Sequence, residues 1–380
     1  MRTVGVEEEL LVVDPGGVTV PLGPALLDVA ARRGEGETVE QHDRAERGEF
    51  ETPDGAHLVP ELKQQQVELG TEVCRELSAV AARLRHWRAE ADAAATAVGA
   101  RVAALATSPV AVEPLRTPGE RYERIEESFG VTSQEQLTCG CHVHVSVDGD
   151  EEGVAVLDRI RVWLPALTAL SANSPFWQGR DTGYQSFRSQ AWNRWPSAGV
   201  NGPYGSSAEY HRLTADLLAT GTVVDEGMVY FDARLSATWP TVEVRVADVC
   251  LRVEDAVVLA GLVRGLVETA AAEWRAGLPA PDTRTEVVRV AGWRAGRSGL
   301  TGDLVHPRTG RPAPAGTVLR DLVAHVRPAL ADAGDLERVE HGVAELLRRG
   351  TGAAHQRAVF GETGDLTAVV RSAVQVTHSG

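Results

Sequence analysis

The residues of this 380-residue chain that could do chemistry lie in short strings where charged and apolar side chains alternate. At the front, Val4-Gly5-Val6-Glu7-Glu8-Glu9-Leu10-Leu11-Val12-Val13 sets three consecutive glutamates among apolar β-formers, which reads as a strand. Strand side chains alternate, so Glu7 and Glu9 leave one face while Val6, Glu8 and Leu10 leave the other. Two carboxylates side by side repel each other unless something positive sits between them. A divalent cation would serve; a solvated edge strand is the plain alternative.

A second string, Thr138-Cys139-Gly140-Cys141-His142-Val143-His144-Val145-Ser146, invites a zinc reading. Strand geometry opposes it, because Cys139 and Cys141 share a face with Val143 and Val145 while His142 and His144 share the other. The cysteines then read as core residues, and the histidines as ligands or as hydrogen-bonding groups. In Thr241-Val242-Glu243-Val244-Arg245-Val246 the valines form an apolar face and leave Glu243 and Arg245 together on the other. Glu61 and Glu68 read as surface charge when taken alone, and as further acids of the same face when taken with the other strings.

Several strands that each offer carboxylate or imidazole to one concave face would suit Mg²⁺ or Mn²⁺ better than zinc or copper. Mg²⁺ with few protein ligands typically carries substrate phosphates, and phosphoryl transfer also needs arginine to offset developing charge. Lys63 is the only lysine, so 37 of the 38 basic residues are arginines. No GxxxxGK[ST] string is present, which excludes a P-loop.

The elements that must position these groups are legible in part. Asp14-Pro15-Gly16-Gly17 is a turn, after which Val18 to Leu22 can pair back. Arg32 to Gly55 lacks periodicity and reads mostly as loop. Gln66 to Leu69 and Thr138 to Val147 read as strands, and Val102 to Leu105 as a buried one. Val229 to Leu235 and Thr241 to Val249 read as an antiparallel pair. Helical spacing marks Glu72 to Val98, Glu120 to Phe129, Val154 to Leu170 and Glu209 to Ala219. It also marks Val253 to Ala276, Thr317 to Ala331, Leu336 to Arg349, Gly352 to Phe360 and Leu366 to Val376. Asn173 to Gly205 is long for a structureless loop, and its three tryptophans and three arginines favour a functional one. A β-rich front half, to about residue 250, followed by a helical remainder predicts a single α+β catalytic unit over 1–380, an antiparallel sheet with helices on its outer side.

Composition narrows the class further. A hydrophobic content of 43% and a charged content of 24% are ordinary for a globular protein. A net charge of −15 argues against nucleic-acid and anionic-lipid partners. No basic, apolar signal segment and no membrane-length apolar run is seen, and four cysteines are too sparse for a disulfide framework. The expectation is a cytoplasmic protein.

These strings together resemble the type 2 glutamate–cysteine ligase family of bacteria, the YbdK-type carboxylate–amine ligases. The resemblance rests on Gly5 to Leu10, Gln66-Val67-Glu68-Leu69-Gly70-Thr71, Cys139 to Val145, and Asn173-Ser174-Pro175-Phe176-Trp177-Gln178-Gly179-Arg180-Asp181-Thr182-Gly183-Tyr184. Trp192 to Gly199, Val242 to Arg245, and Gly292-Trp293-Arg294-Ala295 leading to Gly302-Asp303-Leu304 extend it over nearly the whole chain. It implies a curved, glutamine-synthetase-like antiparallel catalytic sheet. It also implies Mg²⁺ ligands at Glu7, Glu9, Glu61, Glu68, His142 and Glu243, and Arg245 on the ATP phosphates. Arg188 would take a substrate carboxylate, and Arg294 and Arg297 would lie on the nucleotide side. The implied substrates are ATP, glutamate and an amine such as cysteine, joined through an acyl phosphate; a homodimer is implied by the resemblance only. Cys141 stands where the family motif usually has a larger apolar residue, and Arg32 to Gly55 matches poorly. A metal-dependent hydrolase using the same Glu/His face, or a non-catalytic nucleotide or amino-acid sensor, are the rival readings.

Overall fold

The computed structural model describes residues 1–49 and 57–379. Seven strands among them form one sheet: β1 (Val4–Val13), β2 (Leu58–Pro60), β3 (Gln66–Gly70), β4 (Arg101–Ala103), β5 (Gly140–Ser146), β8 (Ala233–Leu235) and β9 (Thr241–Asp248). β6 (Phe176–Trp177) and β7 (Arg180–Asp181) make a separate ribbon. The order is β2-β3-β1-β5-β9-β8, with β4 also on β1, and every pairing is antiparallel. The front strand is therefore central. It pairs with β3, β4 and β5, which is why its apolar residues are buried along most of its length.

Register decides what each face carries, because residues directly opposite one another point the same way. Val6 faces Val143, Leu10 faces Val67, Val143 faces Val244 and Val145 faces Val242, which builds an apolar face. The helices Leu77–Ala97 and Val253–Arg275 lie against it. Leu77, Val80, Leu84, Trp87 and Ala91 recur at helical spacing on the buried side of the first. The second is apolar almost all round, as a helix enclosed by others must be. Gly261 lets it approach its neighbours: a Cβ there would stand 2.6 Å from Val339 Cγ2 and 2.9 Å from Leu77 Cδ1.

Glu8 is the exception on the apolar face. It is fully buried and takes a two-pronged ion pair from Arg88, Nε to Oε2 and Nη2 to Oε1, both at 2.7 Å. Arg88 also donates to the carbonyls of Cys250 (2.7 Å) and Leu251 (3.1 Å), so the pair pins β1 and its helix to the segment after β9. Cys139 and Cys141 are buried free thiols, as expected of core residues.

Several sequence expectations are corrected. Within Arg32 to Gly55 lies a helix, Val39–Glu46, closed by a reciprocal capping box between Thr38 and Gln41; eight mostly polar residues carry no periodicity to reveal it. Positions 50–55 of that stretch lie outside the described residues. Val154 to Leu170 is two helices, Asp150–Ile160 and Leu164–Ser171, because Pro165 cannot continue a helix but is well suited to starting one. The Glu72 to Val98 helix begins only at Leu77. Thr285–Ser298 is a helix, and Asp303–Val305 pairs with Pro312–Pro314; neither was anticipated. No described helix is long and apolar enough to cross a membrane.

Removing one partner of the Glu8–Arg88 pair leaves a buried charge uncompensated. Arg88→Ala is expected to cost about 3–5 kcal/mol, read as a lower urea midpoint at unchanged slope. A loss under about 1 kcal/mol would show that the pair does not hold the strand.

Candidate functional site

The polar face of the sheet collects the residues singled out from the sequence. Glu7 lies opposite His142, Glu9 opposite Glu68, His144 opposite Glu243, and Glu243 opposite Arg234. Glu61 follows directly on β2, which pairs with β3, and so reaches the same face from its edge. The side chains converge as two triplets, Glu7–His142–Glu243 and Glu9–Glu61–Glu68. Within each, one ligand atom per residue lies within 4.8 Å of the others. His142 stands between the two triplets: its Nδ1 is 3.3 Å from Glu7 and 3.9 Å from Glu243, and its Nε2 is 3.7 Å from Glu9. His144 sits 3.3 Å from Glu7 and takes Thr241 Oγ1 at 3.0 Å, so it orients Glu7 rather than completing a triplet.

Electrostatics separates the triplets. Burial raises the proton affinity of Glu7, but the charge of His144 and hydrogen bonds with His142 and His144 hold it well below the usual range. Glu243 is likewise raised by burial, then drawn down to about 2 by Arg245 and Arg234. Arg234 Nε donates to Glu243 at 2.7 Å, and Arg245 donates to its other oxygen. Burial and the charge of Arg245 push His142 down to about 4, leaving a neutral imidazole. In the second triplet no cationic side chain makes an ion pair among the described residues. Burial and Glu61 push Glu9 up to about 7, and burial with Glu7, Glu61 and Glu9 pushes Glu68 well above the usual carboxylate range.

Both triplets fit a hard divalent cation. Their donors are almost all carboxylate oxygens, and the buried Nε2 of the neutral His142 has no hydrogen-bond partner among the described residues. Burial and mutual repulsion raise Glu9 and Glu68, and the repulsion is what a cation would relieve.

The β5–β9 register shifts between Cys141 and Val143, so Arg245 and Val246 together stand opposite the single residue His142. This bulge corrects the expectation for Val246. Instead of joining Val242 and Val244 on the apolar face, it lines a cavity beside Arg245. Arg188, on the short helix Arg188–Trp192, reaches the sheet at that point and is 1% exposed. Its guanidinium lies 3.3–3.4 Å from the Arg245 carbonyl and 5.4 Å from the Trp192 ring. Gly140 makes the approach possible: a Cβ there would stand 2.3 Å from Arg188 Nη2 and 2.9 Å from His142 Nε2.

Two cavities meet at Arg245, Trp192 and Trp195. One, of about 120 Å³, is walled by Glu9, Glu61, Tyr122 and Tyr230. The other, of about 520 Å³, is walled by Arg188, Asp232, Val246 and Trp293. The structure does not bring Arg294 or Arg297 to either. Arg294 donates to the Asp303 carbonyl at 2.8 Å, and Arg297 donates to the Gly183 carbonyl and lies over Tyr184. The same helix sends Val288, Gly292 and Trp293 to the larger cavity; position 294 falls on a different side of it, and 297, one turn beyond Trp293 on the same side, lies past the lining. Asp232, Tyr122 and Tyr230 were missed from the sequence. Tyr230 and Asp232 lie in Val229 to Leu235, where they alternate with Val229, Phe231 and Ala233, so the period-two spacing that marked the other polar faces could have found them; Tyr122 is on the buried side of the helix Glu120–Phe129, where it reads as an ordinary core residue.

The site's acids give the pH dependence a definite sign. At pH 6.5 Glu9, raised to about 7 by burial and Glu61, still holds much of a proton that the unfolded chain has released, and Glu68 is shifted in the same direction. Stability of metal-free protein should therefore fall as pH rises from 6.5 through about 7. Mg²⁺ or Mn²⁺ should raise the melting temperature more at pH 8.5 than at 6.5, because it replaces those protons. An equal shift at both pH values would show that the cation does not bind these acids.

Comparison with known proteins places this geometry. The family model for glutamate–cysteine ligase family 2 matches residues 3–372. The "Putative glutamate–cysteine ligase 2" of Streptomyces coelicolor is 53% identical over the whole of both chains. A "Putative glutamate–cysteine ligase 2-1" of Paenarthrobacter aurescens is 50% identical over all of this chain and 96% of its own. Among solved structures, the fold is shared with the glutamate–cysteine ligase of Francisella tularensis crystallised with AMP. That likeness has a TM-score of 0.67 at 14% identity, over 100% of this chain and 89% of that one. It is shared too with a bifunctional glutathione synthetase of Pasteurella multocida. There the TM-score is 0.70 at 15% identity, over 98% of this chain and 52% of that one. The chain belongs to glutamate–cysteine ligase family 2.

Proposed function

We propose that this chain is an ATP-dependent carboxylate–amine ligase that joins the γ-carboxylate of glutamate to the amino group of cysteine. The observation that carries the reading is the meeting of two separate cavities at Arg245, directly beside two carboxylate-rich triplets. A reaction that condenses two small molecules at the expense of a phosphoanhydride needs that layout: a phosphate site with a substrate pocket on either side.

Glu7, His142 and Glu243 would hold one divalent cation, and Glu9, Glu61 and Glu68 another. Cations held by these residues would supply positive charge against the phosphates of ATP. Arg245, fixed by Glu243, is placed to offset charge on the transferred phosphoryl group. The glutamate carboxylate attacks the γ-phosphorus as the bond to ADP breaks, giving an acyl phosphate. The amine nitrogen then attacks the acyl carbon, phosphate departs, and the surplus proton passes to water. The larger cavity suits the acid donor, with Arg188 at its floor, and the 120 Å³ cavity suits an amine of cysteine's size. Trp192 and Trp195 exclude water from the junction, where an acyl phosphate would otherwise hydrolyse.

The deciding measurement is ADP release from Mg-ATP with glutamate, with and without cysteine, followed by mass spectrometry. ADP that requires both amino acids, together with γ-glutamylcysteine, is the expected result. ADP that needs glutamate alone would keep the acyl phosphate and replace cysteine by another amine. Turnover of a substrate without nucleotide would favour a metal-dependent hydrolase, and ATP binding without any product would favour a sensor. Glu7→Gln should reduce turnover by about 10²-fold or more with an unchanged circular-dichroism spectrum. Undiminished turnover would remove Glu7 from the site.

A further inference from the structure

Arg188 and Asp232 both line the larger cavity, and among the described residues neither makes an ion pair with a side chain of opposite charge. Arg188 is buried, yet among the described residues its guanidinium donates only the two long hydrogen bonds to the Arg245 carbonyl, beside its contact over the Trp192 ring, and its Nε has no hydrogen bond; Glu9 and Asp248 feel its charge without pairing with it. The other buried arginines are better satisfied. Arg88 holds Glu8 and two carbonyls, and Arg161 holds the carbonyls of Asn201 and Thr283 together with Thr285 Oγ1.

Asp232 is the counterpart. Its backbone is fixed on both sides, its N–H donating to the Gly199 carbonyl at 2.9 Å and its carbonyl accepting from the Arg245 N–H at 3.0 Å. Its carboxylate makes no hydrogen bond or ion pair among the described residues. Arg161 lies across a small neighbouring void from it, but that guanidinium is already occupied. Burial lifts Asp232 to about 6, and Arg188 is the charge that pulls it back. The two opposite charges are thus close enough to feel each other yet stand unpaired, an arrangement that costs free energy unless a third group bridges them. A zwitterionic head group, with carboxylate and ammonium on one carbon, is the group that satisfies both.

We infer that Asp232 is a substrate-selecting residue of the larger cavity: it receives the ammonium of the acid substrate, whose α-carboxylate lies on Arg188. This rests on the ligase reading only for the statement that the larger cavity holds the acid donor. Asp232 is then the residue that separates an amino diacid from the plain diacid of the same length, since it offers nothing to a substrate without the ammonium.

The test is calorimetric binding of glutamate and of glutarate, which lacks only the amino group, to the full chain with Mg²⁺ and a non-hydrolysable ATP analogue. Wild type should bind glutamate at least about tenfold more tightly than glutarate. Asp232→Asn should weaken glutamate by roughly thirtyfold or more and leave glutarate unchanged. Equal weakening of both ligands, or of neither, overturns the assignment. If the Asn variant does not fold, the wild-type pair still decides, since equal affinities would overturn it. The same binding pattern with no ADP release from hydrolysable ATP would sink the ligase reading and leave the recognition of an amino diacid standing. ADP release with equal glutamate and glutarate affinities would do the reverse.

Discussion

Repulsion among Glu9, Glu61 and Glu68 is the constraint around which the rest of the molecule is arranged. Three carboxylates gathered without a cationic partner oppose folding, and burial makes the opposition worse. Glu9 and Glu68 are carried on β1 and β3 and Glu61 directly after β2, three consecutive neighbours whose ladder bonds and apolar backs hold them in place regardless. The neighbouring triplet is balanced differently. Arg245, Arg234 and His144 surround Glu7 and Glu243, so these acids stay ionised without outside help. One triplet is thus preorganised as charge and the other depends on a guest, which gives the two sites distinct electrostatic characters within a few ångströms of each other.

A site that opposes folding needs support from behind. The apolar face of the same strands packs on Leu77–Ala97 and Val253–Arg275, and the Glu8–Arg88 pair adds a directional clamp where β1 would otherwise rely on dispersion alone. Glu8 lies between Glu7 and Glu9 in the chain yet points into the opposite layer, so three consecutive glutamates serve two separate purposes. A register slip of one residue would exchange them, turning Glu7 and Glu9 into the apolar layer and Glu8 onto the polar face. The β1 pairings with β3, β4 and β5 make that slip costly.

The bulge at Arg245–Val246 determines the shape of the groove above the sheet. It turns two consecutive side chains toward His142, widens the face where Arg188 descends, and returns Asp248 to the polar side. Asp248 accepts hydrogen bonds from the Asn173 N–H and from the hydroxyls of Ser174 and Ser186, and Ser174 in turn accepts from the Arg188 N–H. The aromatic loop is therefore anchored to the strand that carries Arg245. Its tryptophans become a partition between two cavities rather than a mobile cover.

Period-two alternation around Glu7, Glu9, His142 and Glu243 was enough to assign these groups to one face, because a strand leaves a side chain only two directions. The same logic put Cys139 and Cys141 in the core and made an oxygen-rich cation site the natural reading. The sheet's antiparallel character, the helical layer and the family strings were legible for the same local reasons. Periodicity says nothing about register shifts, so Val246 was assigned to the wrong face. The resemblance that put Arg294 and Arg297 on the nucleotide side carries no information on how Thr285–Ser298 docks, and neither arginine lines the two cavities. Asp232 acquires its meaning only from an unpaired Arg188 more than forty positions earlier, and Glu8 only from Arg88 eighty positions later. Sequence determined which residues could do chemistry and which face they share, since those are properties of neighbours along a strand. Tertiary structure decided which charges meet, which stay unpaired and what room lies between them, since those depend on segments that only folding brings together.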